Sequence, residues 1–121
     1  MVVDAIHNDQ LREHGGLPGI RDENLLESAL ARAKQKWHYA ERTDLPALAA
    51  AYAFGLVTSH PYRDGNKRIG FLAMVTFLGV NGHDFAAEEA EIVTEFLALA
   101  GGRISEEALA DWIRQRSSKS R

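Results

Sequence analysis

His60, Asp64, Lys67 and Arg68 fall within one short stretch, His60-Pro61-Tyr62-Arg63-Asp64-Gly65-Asn66-Lys67-Arg68, directly before a long apolar run. A neutral imidazole at His60 can take a proton from an attacking hydroxyl near neutral pH. If a helix begins at Gly65 or Asn66, the backbone NH groups of its first turn and its dipole make an anion site there. Gly65 leaves room for a phosphate, Asn66 supplies an amide donor, and Lys67 and Arg68 add cations, Arg68 with a bidentate fork. Asp64 can cap that helix, the simpler role by spacing, or bind Mg²⁺ beside phosphate oxygens. Taken singly, each residue has a plain structural explanation. Two cations in a first turn, however, oppose the helix dipole by about 0.3–1 kcal/mol each, an imbalance that a bound anion would relieve.

The flanking elements must hold this loop. Asp44 and Pro46 open a helix that is apolar on nearly every side, with Leu45, Leu48, Ala49, Tyr52, Ala53, Phe54, Leu56 and Val57, ending near His60. After the loop, Ile69 to Val80 is a second helix, apolar all round and closed by Asn81-Gly82. The alanines of the first allow close approach of the second, so the loop between 59 and 65 should be fixed at both ends by the core.

Around this pair the pattern predicts a helix over Val2 to His14 stopped by Gly15-Gly16, then a turn at Leu17-Pro18-Gly19. Next come an Asp22-capped helix with Leu25, Leu26, Ala29 and Leu30 and a polar connection over 33–44. His83-Asp84-Phe85 reads as a short extended piece. A helix with Ile92, Val93, Phe96, Leu97 and Ala100 on one face follows, stopped by Gly101-Gly102. Ser105 caps a last helix whose inward stripe is Ala108, Leu109, Trp112 and Ile113. The expected architecture is all-α, a compact six-helix bundle with a central buried helix after the loop, forming a single domain over 1–116 with a frayed basic tail over 117–121.

Composition narrows the function. The 121 residues are 45% hydrophobic and carry no cysteine, so a core forms without disulfides and no thiol chemistry is available. Fourteen Lys and Arg against seventeen Asp and Glu give a net charge of −3, which argues against direct nucleic-acid binding. No apolar run approaches the ~20 residues that span a bilayer and the N-terminus has no signal pattern, so a cytoplasmic protein is expected. His7, His14, His38 and His83 lack ligand spacing with one another. Trp37 and Tyr39 are read as covering the bundle.

His60-x-Tyr62-x-Asp64-Gly65-Asn66-Lys67-Arg68 closely resembles the motif of the Doc, or death-on-curing, branch of the Fic family, the toxins of bacterial toxin–antitoxin pairs. The resemblance extends over Gly15 to Gly19, Leu25 to Leu30 and Asn81-Gly82. It implies the Fic fold, a catalytic His60, a Mg²⁺ or phosphate-orienting role for Asp64, and phosphate contacts by Asn66 and Arg68. Lys67 stands where AMP-transferring members carry glycine; the Doc pattern implies transfer of the terminal phosphoryl group of ATP instead. The implied target is a threonine of the translation elongation factor that delivers aminoacyl-tRNA, and the implied outcome is arrest of translation. Tyr62 replaces the usual Phe, while Pro61 and Gly65 match the AMP-transferring pattern. AMP transfer and a non-catalytic partner-binding role of the same fold therefore remain alternatives. No Ser or Thr has Glu four residues later, so the family's inhibitory-helix motif is absent from this sequence. Restraint is expected from an antitoxin in trans, received by the Arg32 to Arg42 region or by exposed apolar positions, with the free toxin a monomer.

Overall fold

The computed structural model describes residues 19–39, 44–61 and 65–120, without the side chains of His38 and Tyr39. Among these residues there are five helices, α1 (Glu23–Tyr39), α2 (Leu45–Ser59), α3 (Asn66–Val80), α4 (Glu89–Ala100) and α5 (Glu106–Arg116), with two short strands, β1 (His83–Phe85) and β2 (Ser117–Lys119). The helix expected over 2–14 lies outside the described residues. So do the turn residues 15–18.

The N-terminal caps form as their residue types dictate. Asp22 Oδ1 accepts from the amides of Asn24 at 2.9 Å and Leu25 at 3.2 Å. Asp44 Oδ1 accepts from Ala47 N at 3.0 Å, and Ser105 Oγ from Ala108 N at 3.0 Å. Each satisfies a first-turn NH that has no partner within its own helix.

α2 is the innermost described element. It packs against α1, α3, α4 and α5, and Leu48, Ala49, Ala50, Ala51, Ala53, Gly55, Leu56 and Val57 are all buried. Small residues let its neighbours come close: a Cβ at Gly55 would lie 2.9 Å from the Ala29 carbonyl oxygen on α1. α3, expected to be apolar all round, buries Ile69, Gly70, Ala73, Met74 and Leu78 but exposes Lys67, Arg68, Thr76, Gly79 and Val80.

The main core joins α2 and α3 to Phe96 and Leu99 of α4 and to Leu109, Trp112 and Ile113 of α5. Phe85 and Trp112, 5.2 Å between ring centroids, tie β1 to it. A second cluster, Leu26, Ala29, Leu56, Ile69 and Ala73, lies where α1, α2 and α3 meet.

Four expectations need correction. The polar connection over 33–44 is helical as far as Tyr39, because its Ala, Arg, Lys and Gln are good helix formers and Ala33 extends the buried stripe of Leu26 and Ala29. The tail is not frayed over 117–119: β2 pairs antiparallel with β1, His83 opposite Lys119 and Phe85 opposite Ser117. Val93 and Leu97 are exposed, since α4 turns Phe96 and Leu99 inward. In α5 the stripe includes Ala110 and leaves Ala108 outside.

Candidate active site

The helices at the two ends of the loop share one core cluster. Leu56 on α2 and Ile69 on α3 are both fully buried in it. At 1.5 Å rise per residue, His60 lies about 6 Å along the chain axis beyond Leu56, and Asn66 about 4.5 Å before Ile69. Gly70 tightens this junction, since a Cβ there would sit 2.5 Å from Val57 Cγ2.

His60 is the C-cap of α2 and takes a left-handed conformation, φ 52° and ψ 55°. It is the one non-glycine residue with positive φ among the described residues. That region costs an L-residue about 1–2 kcal/mol, although histidine visits it more readily than most. Its side chain is exposed, and Nδ1 lies 3.3 Å from the Thr58 carbonyl oxygen. A carbonyl can only accept, so the contact is a hydrogen bond in the tautomer that carries its proton on Nδ1, the tautomer in which Nε2 is the acceptor that a general base requires.

The backbone around His60 is braced from the start of α1. Arg21 Nε donates to the His60 carbonyl at 2.7 Å and its terminal nitrogen to the Ser59 carbonyl at 3.0 Å. The Arg21 and Asp22 amides both donate to the carbonyl of buried Pro61, at 2.7 and 3.1 Å. Sequence reasoning missed Arg21. Its partners lie 38 and 39 positions away, and nothing local marks the residue apart from its place before the Asp22 cap.

At the other end, Gly65 is the N-cap of α3 with φ 77° and ψ 17°, a conformation that suits glycine and places no side chain over the helix start. The first α3 hydrogen bond runs from Ile69 N to Gly65 O at 2.9 Å. Asn66 is buried, while Lys67 and Arg68 project outward from the first turn. The helix start expected at Gly65 or Asn66 is thus in place, and the positive end of α3 carries two further cations. Asp64, the expected Mg²⁺ ligand, lies outside the described residues together with Tyr62 and Arg63. Among the described residues no group of three or more His, Asp or Glu side chains is arranged to hold a metal. His83 approaches the Asn81 carbonyl through Nδ1 at 3.4 Å, in keeping with a structural place on β1.

Elsewhere, two cations of the region expected to receive the antitoxin are already engaged. Glu106 at the start of α5 accepts from Arg32 and, at 2.9 Å, from Lys36. Arg32 also lies over the Phe54 ring, 5.0 Å from its centroid. Trp37 does not cover the bundle: it is 64% exposed, at the rim of a groove of about 430 Å³ lined also by Leu30, Lys34, Leu48, Tyr52 and Phe77. No helix among the described residues is long and apolar enough to cross a membrane.

A helical scaffold that presents a left-handed histidine and a glycine-capped, cation-bearing helix start at the two ends of one loop defines a candidate group-transfer site of the Fic type. The Fic/DOC family profile matches residues 2–78, and the chain belongs to that family, on its Doc branch. It is similar to Protein kinase doc of Escherichia phage P1, with 31% identity over 111 residues, 92% of this chain and 87% of that protein. It is also similar to Toxin Doc of Mycolicibacterium smegmatis (strain ATCC 700084 / mc(2)155), with 38% identity over 77 residues, 61% of this chain and 58% of that protein.

Proposed function

We propose that this chain is the toxin of a toxin–antitoxin pair, acting in the cytoplasm as an ATP-dependent phosphotransferase on a protein hydroxyl. Its target is a threonine of a translation elongation factor, and its effect is arrest of protein synthesis. The observation that carries this reading is the pairing of exposed His60, held at the left-handed end of α2, with the Gly65-capped start of α3 at the other end of the same loop. Membership of the Doc branch and the name of the phage relative, a protein kinase, support the same chemistry.

In this reading Nε2 of His60 takes the proton of the target hydroxyl as its oxygen attacks the terminal phosphorus of ATP. The bond between that phosphorus and the bridging oxygen breaks, and ADP leaves. The α3 amides, Asn66, Lys67 and Arg68 hold phosphate oxygens, and Asp64 would hold Mg²⁺, which would offset phosphate charge. Positioning and electrostatics supply most of the acceleration in such a transfer. Lys67 fits this role because it brings a cation to the point where glycine would leave open space. Restraint comes from an antitoxin bound in trans.

A second reading, AMP transfer by the same residues, is favoured by Pro61 and Gly65. Incubating the protein with Mg²⁺, a translation extract and ATP labelled at either the α or the γ phosphate separates the two. Gamma label on a protein band is the expected result, and alpha label would establish AMP transfer. Absence of both labels, with ATP and partner binding unchanged in His60→Ala, would leave a non-catalytic binding module.

A further inference from the structure

Arg21 grips the backbone on both sides of His60. The Ser59 carbonyl belongs to the peptide plane before the His60 Cα, and the His60 carbonyl to the plane after it; the Arg21 guanidinium donates to both, at 3.0 and 2.7 Å. Fixing those two planes fixes φ and ψ of His60, and with them the direction in which its Cα–Cβ bond leaves the chain. The Arg21 and Asp22 amides then anchor the next carbonyl, that of Pro61.

The interaction also fits the electrostatics. The last carbonyls of a helix lack intrahelical donors and carry partial negative charge, so a cation at the end of α2 is favourable. Pro61 keeps His60 from continuing the right-handed helix, and a left-handed non-glycine residue persists only where its surroundings over-determine it. A planar fork that bonds two successive carbonyls does so, whereas a lysine ammonium would act as a point charge.

We infer that Arg21 is the positioning residue for the His60 base, acting through the backbone and touching neither phosphate nor target. This rests on the reading of His60 as the base. Arg21 is exposed, so its removal should leave the fold in place while loosening the histidine.

The test uses the full chain carrying Arg21→Gln, Arg21→Lys or Arg21→Ala. For each, γ-phosphoryl transfer is measured as kcat and KM for ATP, thermal unfolding is recorded, and His60 is observed by NMR. In Arg21→Gln and Arg21→Ala, kcat should fall about tenfold or more with KM for ATP held within about twofold, the mark of lost orientation rather than lost binding. The His60 amide–Hα coupling should move away from its left-handed value, and the imidazole nitrogen signals should lose the Nδ1–H pattern. Arg21→Lys should remain defective.

Unchanged kcat with unchanged His60 signals, full rescue by lysine, or a rise in KM alone would overturn the inference. If Arg21→Ala fails to fold, Arg21→Gln, which keeps a single donating nitrogen, decides. The NMR readout concerns the resting protein, so it separates the two ideas. A fully active His60→Ala would sink the functional reading, whereas unmoved His60 signals in Arg21→Gln would sink the positioning role.

Discussion

Gly70 of α3 faces Val57 of α2 so closely that a Cβ added to the glycine would lie 2.5 Å from Val57 Cγ2. Val57 is fully buried and β-branched, so its methyl has little freedom to move aside. Gly70→Ala should therefore destabilise the protein by about 1–3 kcal/mol despite the better helix propensity of alanine, because overpacking outweighs propensity here. Adding Val57→Ala to Gly70→Ala should recover part of that loss, a non-additivity that a double-mutant cycle in urea would detect. Simple additivity would mean that the two sites do not meet. Since the contact lies beside the loop, Gly70→Ala should also lower transfer activity more than Gly55→Ala, which crowds α1 instead.

Glu106 gives α5 a pH-sensitive tie to α1. Burial pushes its carboxyl up, but the hydrogen bonds and charges of Arg32 and Lys36 outweigh burial and hold it below the ordinary glutamate range. A carboxylate depressed in the folded state stabilises above its unfolded value, and that contribution fades as the pH falls through its folded value. Asp44 behaves in the same direction, chiefly through its hydrogen bond from Arg114. Urea stability should hence decline on acidification from about pH 6 to about pH 3, and Glu106→Gln, less stable by about 1 kcal/mol at neutral pH, should decline less steeply. Identical slopes in the two proteins would remove Glu106 from the account.

The paired C-terminal segment makes a separate prediction. Ser120 N donates to the Gly82 carbonyl at 2.7 Å and Ala86 N to the Arg116 carbonyl at 2.9 Å, closing the ends of the β1–β2 pair. Both amides should exchange with solvent more slowly than exposed loop amides, and a chain ending at Arg116 should unfold at a lower temperature, by a few degrees for about 1 kcal/mol. Full-speed exchange at Ser120 would restore the frayed tail expected from composition.

What the sequence made legible was local and periodic. Asp22, Asp44 and Ser105 are cap residues by type, Gly101-Gly102 is a stop by type, and the Leu-Ala-Ala content of α2 signals burial on every side. Gly65 and Asn66 likewise mark the start of α3 by residue type. What stayed hidden depends on partners distant in the chain. The Ser117–Lys119 strand is polar and three residues long, with no alternation to reveal it, and its pairing is a backbone matter. The helical continuation over residues 33–39 carries Lys36, whose partner, Glu106, sits on another helix. Arg21 looked like an ordinary surface cation because its acceptors are carbonyls, which carry no residue-type signal at all.

His60 should be indispensable if it is the base. His60→Ala is expected to lower γ-phosphoryl transfer by about 10²–10⁴-fold, the range for removing a general base, with KM for ATP little changed. His60→Gln, which can accept a hydrogen bond but cannot carry the proton at neutral pH, should be equally impaired. Retained activity in His60→Gln would show that orientation of the hydroxyl, and not proton removal, is what the residue supplies.

Lys67 carries the choice between the two transfers, and its substitution tests that choice directly. It projects from the first turn of α3 beside the Gly65 cap, where its charge adds to the positive helix end. In the proposed reading that cation lies against phosphate, so Lys67→Gly should reduce γ-transfer by about tenfold, a loss of about 1.4 kcal/mol of transition-state stabilisation. The same change removes a side chain from the helix start and gives the loop Asp64-Gly65-Asn66 followed by glycine, the pattern implied for AMP transfer. Alpha-labelled ATP should then begin to mark the target where it does not in the parent protein. Lys67→Arg keeps the charge but widens the head group, and should retain γ-transfer better than Lys67→Gly if charge is the deciding property. Should Lys67→Gly give the parent's product at the parent's rate, the lysine would be a solvated surface residue, and phosphoryl transfer would have to be argued from the rest of the loop.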